Sequence, residues 1–417
     1  MKLILTAVTG LAILNLLIAG CSSQPTTQEI IPAQPTMAMN SAEVNPVILA
    51  NTRFGFKLFT ELYRQAADEN AADENIFISP ASISAALSMT YNGAKAETQS
   101  AIANTLEIAN IPLEQVNQGH SNLQKSLATA DPKVQVNIAN SLWLSKTTTF
   151  LPDFIQRVAE SYSAELSQLD FNDPQSLSTI NNWVKTNTND KIEKIVDQVD
   201  PNQIMFLINA VYFKGLWAKP FAKDATKEAA FTLLDGSTKQ HPLMNQFGDY
   251  RYYETDTFQA VSLPYGEGRW SFYVFLPKPN VTLASFYENL TPENWEQWMN
   301  LFRLVPGSIT LPRFQLEYEM VLNETLKILG MEVAFDPEKA DFSGITSEDS
   351  YISQVKHKTF IEVNEEGTEA AASTSVGIVA TSAPPPPFTM VVDRPFFSVI
   401  RDDQTGTILF MGSIVDP

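Results

Sequence analysis

An α+β fold is what this sequence predicts, and three observations lead there. Amphipathic helical stripes crowd the first half of the chain, strand patterns dominate the second, and neither βαβ alternation nor an internal repeat links them. The 417 residues, 44% hydrophobic and 18% charged, suffice for a large core and give no reason to expect disorder. A net charge of −19 argues against nucleic acid and anionic membrane surfaces as partners.

The elements follow in order. Lys2, an apolar run from Leu3 to Ala19 and the small residues before Cys21 form a targeting segment that resembles a bacterial lipoprotein signal. That resemblance implies removal of residues 1–20, a lipid on Cys21, export, and anchorage in the cell envelope. An ordinary secretory signal is the alternative. Cys21 is the chain's only cysteine, so no disulfide forms within one chain. Residues 21–46, polar and holding Pro25, Pro32, Pro35 and Pro46, read as a tether, and the folded body is expected over 47–417.

Within the body, Phe54, Leu58, Phe59, Leu62 and Tyr63 share a helical face over 51–67. Ser79 before Pro80 marks a helix start, and Ile83, Ala86, Leu87, Thr90 and Tyr91 carry its stripe to Gly93. Helices are expected over about 97–106, 152–166, 177–196 and 321–329, the last capped by Gly330. Val134, Val136 and Ile138 open a strand that continues through Leu144. Ile204 to Phe213 is a near-continuous apolar run, the pattern of a strand buried on both faces. Further strands fall at 260–263, 270–276 and 308–311, and 396–400 with 407–412 form a hairpin turned at Asp402–Gly406.

The stretch from Glu365 to Thr381 is unusual. At period two, Thr368, Ala370, Ala372, Thr374, Val376, Ile378 and Ala380 share one face, which is apolar yet built from small side chains. Four prolines, Pro384 to Pro387, end any strand there. On composition alone the stretch also fits an Ala/Ser/Thr-rich linker. Catalytic and metal-binding patterns are absent from the sequence: there is no G-x-S-x-G, no phosphate loop and no H-E-x-x-H, and His120, His241 and His357 are far apart. Neither an enzyme nor a bound cofactor is expected.

Six segments then carry a family resemblance: Asn75-Ile-Phe-Ile-Ser-Pro-Ala-Ser82, Tyr91-Asn-Gly-Ala-Lys-Ala-Glu-Thr98, Asn209-Ala-Val-Tyr-Phe-Lys-Gly-Leu-Trp217, the run from His357 to Ala372, Asp393-Arg-Pro-Phe-Phe397 and Phe410-Met-Gly412. In this order and spacing the body resembles a serpin. The resemblance implies helices around a large mixed sheet A with smaller sheets B and C, and an exposed reactive-centre loop offered to a protease as bait. Cleavage gives an acyl-enzyme, the loop enters sheet A as a new strand, and the protease stays covalently trapped.

The resemblance also assigns residues. Glu365, Glu366, Gly367, Thr368, Glu369, Ala370, Ala371 and Ala372 match the loop's hinge. Ser79, Ser82, Asn209 and His357 match the shutter beneath the strands that part, and Trp217 matches the breach where insertion starts. Family spacing puts the reactive bond at Thr381-Ser382, with Ala380-Thr381 as the alternative. Small residues there suit the narrow pocket of elastase- or subtilisin-type serine proteases. Threonine at 368 followed by alanines favours an inhibitor over a non-inhibitory binding serpin; a cysteine-protease-directed inhibitor is a variant. The helical stretch from Glu97 to Leu127 holds Lys125 as its only lysine or arginine, so no heparin-type activator is expected, and the protein is expected to be a monomer.

Overall fold

Helix α1 (Pro46–Asp68) opens the computed structural model, which describes residues 45–69, 71, 73–128, 131–368 and 388–417. Asn45 accepts from the Val47 N–H at 3.1 Å and Pro46 takes the first helical position, so the helix begins five residues before its apolar stripe predicts. There follow β1 (Ile76–Ile78), α2 (Pro80–Tyr91), α3 (Ala96–Thr105), α4 (Leu113–Ala128), β2 (Val134–Ser145), α5 (Pro152–Tyr162), β3 (Glu165–Leu169), α6 (Gln175–Asn187) and β4 (Met205–Leu216). The second half contains β5 (Lys227–Thr232), β6 (Thr238–Glu254), β7 (Phe258–Tyr265), β8 (Trp270–Pro277), α7 (Leu283–Glu288), α8 (Pro292–Leu301), β9 (Arg303–Pro312), β10 (Phe314–Val321) and α9 (Asn323–Leu326). The chain closes with β11 (Ile352–Asn364), β12 (Gly367–Thr368), β13 (Phe388–Val391), β14 (Phe396–Asp402) and β15 (Ile408–Ile414).

Three helices stop earlier than their patterns predict, each for a local reason. Ser163 turns left-handed (φ 46°) and ends α5, freeing Glu165–Leu169 to pair in parallel with β2. Asn189 and Asp190 also take positive φ, so the expected helix to 196 ends at Asn187. Val321 belongs to β10, and the helix expected over 321–329 shrinks to α9, followed by a wider turn in which Gly330 sits at φ 113°.

Two sheets result. The first, in order β10-β11-β12-β4-β2-β3, pairs β11 and β4 in parallel along a central seam. In the second, the expected smaller sheets run together in the order β1-β15-β14-β8-β7-β6-β9-β13, because the 17-residue β6 pairs with β5 at its start, with β7 at its end and with β9 along most of the length between. The main core lies between sheets and helices. A second apolar cluster, with Trp143, Phe206, Ile208, Tyr212 and Phe360, fills the far face of the first sheet, beneath Ile180 and Val184 of α6 and beneath Ile192, Ile195 and Val196.

Candidate functional site

The site is the seam between β11 and β4. These strands pair directly from Ile352–Met205 to Phe360–Tyr212, then diverge around β12. Thr368 pairs with Val363 on one side and Gly215 on the other, and Gly367 with Asn364 and Leu216, antiparallel to both neighbours. Gly367 has φ +147°, and a Cβ there would lie 2.1 Å from the Gly215 carbonyl oxygen, so the wedge needs a glycine.

Thr368 is fully buried, with Oγ1 2.7 Å from the Tyr265 hydroxyl. Burial raises the Tyr265 hydroxyl above the ordinary phenol range, so it stays neutral and free to hydrogen-bond. The Tyr265 ring stacks on Trp217 with centroids 4.4 Å apart. Trp217 in turn donates its backbone N–H to the Glu366 carbonyl (2.9 Å) and its indole N–H to that of Asn364 (2.8 Å). Trp217 therefore holds the reversal that carries the chain from β11 into β12.

The two acids of that reversal are buried, and each has found partners, as buried carboxylates must. Glu365 accepts from Thr226 Oγ1 at 2.8 Å and lies 3.6 Å from Arg313 Nε. Glu366 binds Lys223 Nζ at 2.6 Å, and its N–H donates to Asn364 Oδ1 at 3.0 Å.

One expectation is corrected here. Thr368, read as part of an exposed bait outside the sheet, already stands inside it. Its small side chain fits the fork left where β11 and β4 diverge. Glu369, Ala370, Ala371 and Ala372, the bond Thr381-Ser382 with its alternative Ala380-Thr381, and Cys21 all lie outside the described residues.

Six residues down both strands from this wedge, Asn209 faces His357 across the seam and Asn140 on its other side. The Ser79 backbone N–H donates to His357 Nε2 at 3.1 Å, so that nitrogen carries no proton and Nδ1 must carry it. Nδ1–H then donates to Asn209 Oδ1 at 2.6 Å. The Asn209 amide donates to Ser82 Oγ and, at 2.5 Å, to Asn140 Oδ1. Ser79, Ser82, Asn209 and His357 thus meet in one buried polar chain that ties α2 to both strands of the seam. Ser79 stands at the N-cap of α2 but forms no capping bond; its N–H serves His357, and its Oγ has no partner among the described residues.

Burial lowers the His357 pKa to about 3, and a proton on Nε2 would also abolish the bond from Ser79. The unfolded chain takes up this proton near pH 6.5, the native state only near pH 3. Stability is therefore complete above about pH 6.5 and declines as pH falls towards 3, by up to roughly 5 kcal/mol from this residue. His120, buried against Ser88 and also lowered to about 3, adds in the same direction. Thermal midpoints of the wild type and His357→Asn across pH 4–7.5 separate the two: the variant should start lower and show a shallower slope, and an unchanged slope would refute the assignment to His357.

Sequence reasoning missed Asn140, Tyr265, Lys223, Thr226 and Arg313. Asn140 had a signal, an amide inside the strand expected from Val134 to Leu144; the others had none. Among the described residues no group of three or more His, Cys, Asp or Glu is placed to hold a metal.

Comparison with known proteins agrees with this architecture. The family model described as "Serpin (serine protease inhibitor)" matches residues 49–417. The chain is 36% identical to Antithrombin-III of Mus musculus over 381 residues, covering 88% of this chain and 81% of that protein. It is 35% identical to the Leukocyte elastase inhibitor of Homo sapiens, covering 88% of this chain and 98% of that one. The native-state crystal structure of the thermophilic serpin tengpin matches with a TM-score of 0.81 at 34% identity, over 92% of this chain and 97% of that one. A sheet with a forked central seam, a glycine-threonine wedge in the fork and a match along nearly the whole body together place this chain in the serpin family.

Proposed function

We propose that this protein inhibits serine proteases as a suicide substrate, with the segment after Thr368 as bait and the β11–β4 seam as the slot that receives it. One observation carries the reading: β12 has begun a strand between β11 and β4, and the sequence beyond it alternates small side chains in the same phase. Similarity to Antithrombin-III and to the Leukocyte elastase inhibitor supports it. In this reading Ser79, Ser82, Asn209 and His357 hold the slot shut, Trp217 guides entry, and Thr381-Ser382 is cut by a protease with a narrow pocket of the elastase or subtilisin type. The protein acts as a monomer, tethered to the cell envelope through a lipid on Cys21, which labelling with a radioactive fatty acid would test.

The decisive experiment incubates residues 43–417, which keep the start of α1, with elastase and with subtilisin, then separates the products on a denaturing gel. A covalent band at the summed mass is expected. Complete cleavage without that band refutes the inhibitor. Thr381→Arg should move the adduct to trypsin, and an unchanged target profile would show that the bond lies elsewhere.

A further inference from the structure

One stretch of sheet edge lacks the protection that edges ordinarily carry. β3 closes the first sheet beyond β2 but pairs only with Ser141–Ser145, so among the described residues β2 has no outer neighbour from Val134 to Asn140. Hydrogen bonds fix which groups face outward. The Leu216 N–H donates to the Lys133 carbonyl and the Ser145 N–H to that of Ile204, so odd-numbered residues of this strand turn their backbone towards β4. Val136 and Ile138 turn theirs the other way, and no hydrogen bond among the described residues reaches those groups.

Exposed edges are usually blunted by charge, by proline or by shortness. Other outermost strands follow the rule: β1 has three residues, β13 four and β3 five, and β10 carries the exposed Glu317 and Glu319. Residues 134–140 read Val-Gln-Val-Asn-Ile-Ala-Asn, with neither a charge nor a proline. Val134, Val136 and Ile138 are only half-buried. Beside them, between the strand, α4 and the end of α5, lies a hollow of about 290 Å³, to which Leu127, Val136 and Ile138 give an apolar lining and Ser121, Gln124 and Ser163 a polar one.

The edge itself identifies its occupant. Outward N–H and C=O groups at every second residue are satisfied in series only by another extended backbone. Side chains on neighbouring strands pack in register, so the β-branched pair and the hollow select an apolar residue at alternate positions of the newcomer. Charges mark the two ends, with the exposed Lys133 before Val134 and the exposed Glu160 and Glu165 at the other.

We propose that the β2 edge from Val134 to Asn140 receives an extended segment of a partner protein, which adds to the first sheet as a further strand. The segment carries apolar side chains at alternate positions, an acidic residue beside Lys133 and a basic one beside Glu165. The seam lies on the opposite side of β4, so this site is separate from the slot for the bait and stands whether or not the protein is an inhibitor.

The test measures fluorescence anisotropy of two labelled peptides, Glu-Thr-Val-Thr-Val-Thr-Lys and Lys-Thr-Val-Thr-Val-Thr-Glu, one for each strand direction, mixed with residues 43–417. One of them should bind, and the same peptide with its backbone nitrogens methylated should not. Val136→Pro deletes one outward N–H and spares the ladder to β4, and Ile138→Lys puts a charge on the edge; each should weaken binding about tenfold, with the far-ultraviolet circular dichroism unchanged. Failure of both peptides to bind at about 1 mM, or wild-type affinity in both variants, would overturn the proposal. Displacement by a synthetic peptide of residues 369–381 would place the ligand in the seam and overturn it too. If residues 43–417 sediment as a dimer that Val136→Pro dissociates, the edge belongs to a second copy and the proposal fails.

Discussion

Cleaving the bait at Thr381-Ser382 is expected to raise the melting temperature of the body by more than about 15 °C. Among the described residues, Gly367 and Thr368 alone stand between β11 and β4; below them the two strands pair in parallel. Once cut, the residues from 369 to about 381 gain the freedom to extend β12, giving each seam strand a new antiparallel neighbour. A dozen or so additional ladder bonds at about 1 kcal/mol net, plus the burial of small side chains, amount to roughly 10 kcal/mol or more. For large domains each kcal/mol moves the midpoint by about 2 °C or somewhat less, which sets the expected rise. Calorimetry of intact and nicked protein measures it. An unchanged midpoint would mean that the intact chain stores no free energy, and no inhibitory mechanism based on release would survive that result.

Replacing Thr368 by arginine is expected to convert the inhibitor into a substrate. The site offers no room and no water: Thr368 is buried between Val363 and Gly215 with its hydroxyl on Tyr265. A guanidinium there must be desolvated without a carboxylate partner, costing several kcal/mol. Since 1.4 kcal/mol is a factor of ten, entry would lose the race against hydrolysis of the acyl bond by more than about tenfold. The gel should show cleaved protein in place of the covalent band. Thr368→Val, which keeps the shape and orphans the Tyr265 hydroxyl, should fall between, at a cost of about 1–3 kcal/mol. Full adduct formation by the arginine variant would count against entry through this fork.

The fold was legible where one physical signal dominated. The stripe of α1, the Ser-Pro start of α2, the apolar run of β4 and the β14–β15 hairpin each follow from a single period or a single breaker. Helix α4 was legible only as part of one helical stretch from Glu97 to Leu127, its own bounds hidden because Gln, Asn and His dilute its stripe, and β6 escaped because it changes partners along its length. The polar cluster is harder in kind. Ser79, Ser82, Asn209 and His357 come from a helix cap, a helix and two strands, so only tertiary packing makes them neighbours, and family resemblance, not periodicity, singled them out. The partners of the hinge acids, Lys223, Thr226 and Arg313, are distant in sequence for the same reason. That Thr368 is already seated depends on how far β11 and β4 diverge, a width no local pattern encodes.

The registers around the wedge say where a longer strand would fall. Thr368 stands opposite Gly215 and Val363, and Asn209 and His357 lie six positions further along those strands. An antiparallel strand continuing without slippage would bring Thr374 between them. The imidazole and the amide now joined to each other would then be separated by a hydroxyl able to accept from one and donate to the other. The polar chain that joins the two strands would re-form around the newcomer, so passing the midpoint would leave no polar group stranded and retreat would gain nothing. The motion would therefore run one way.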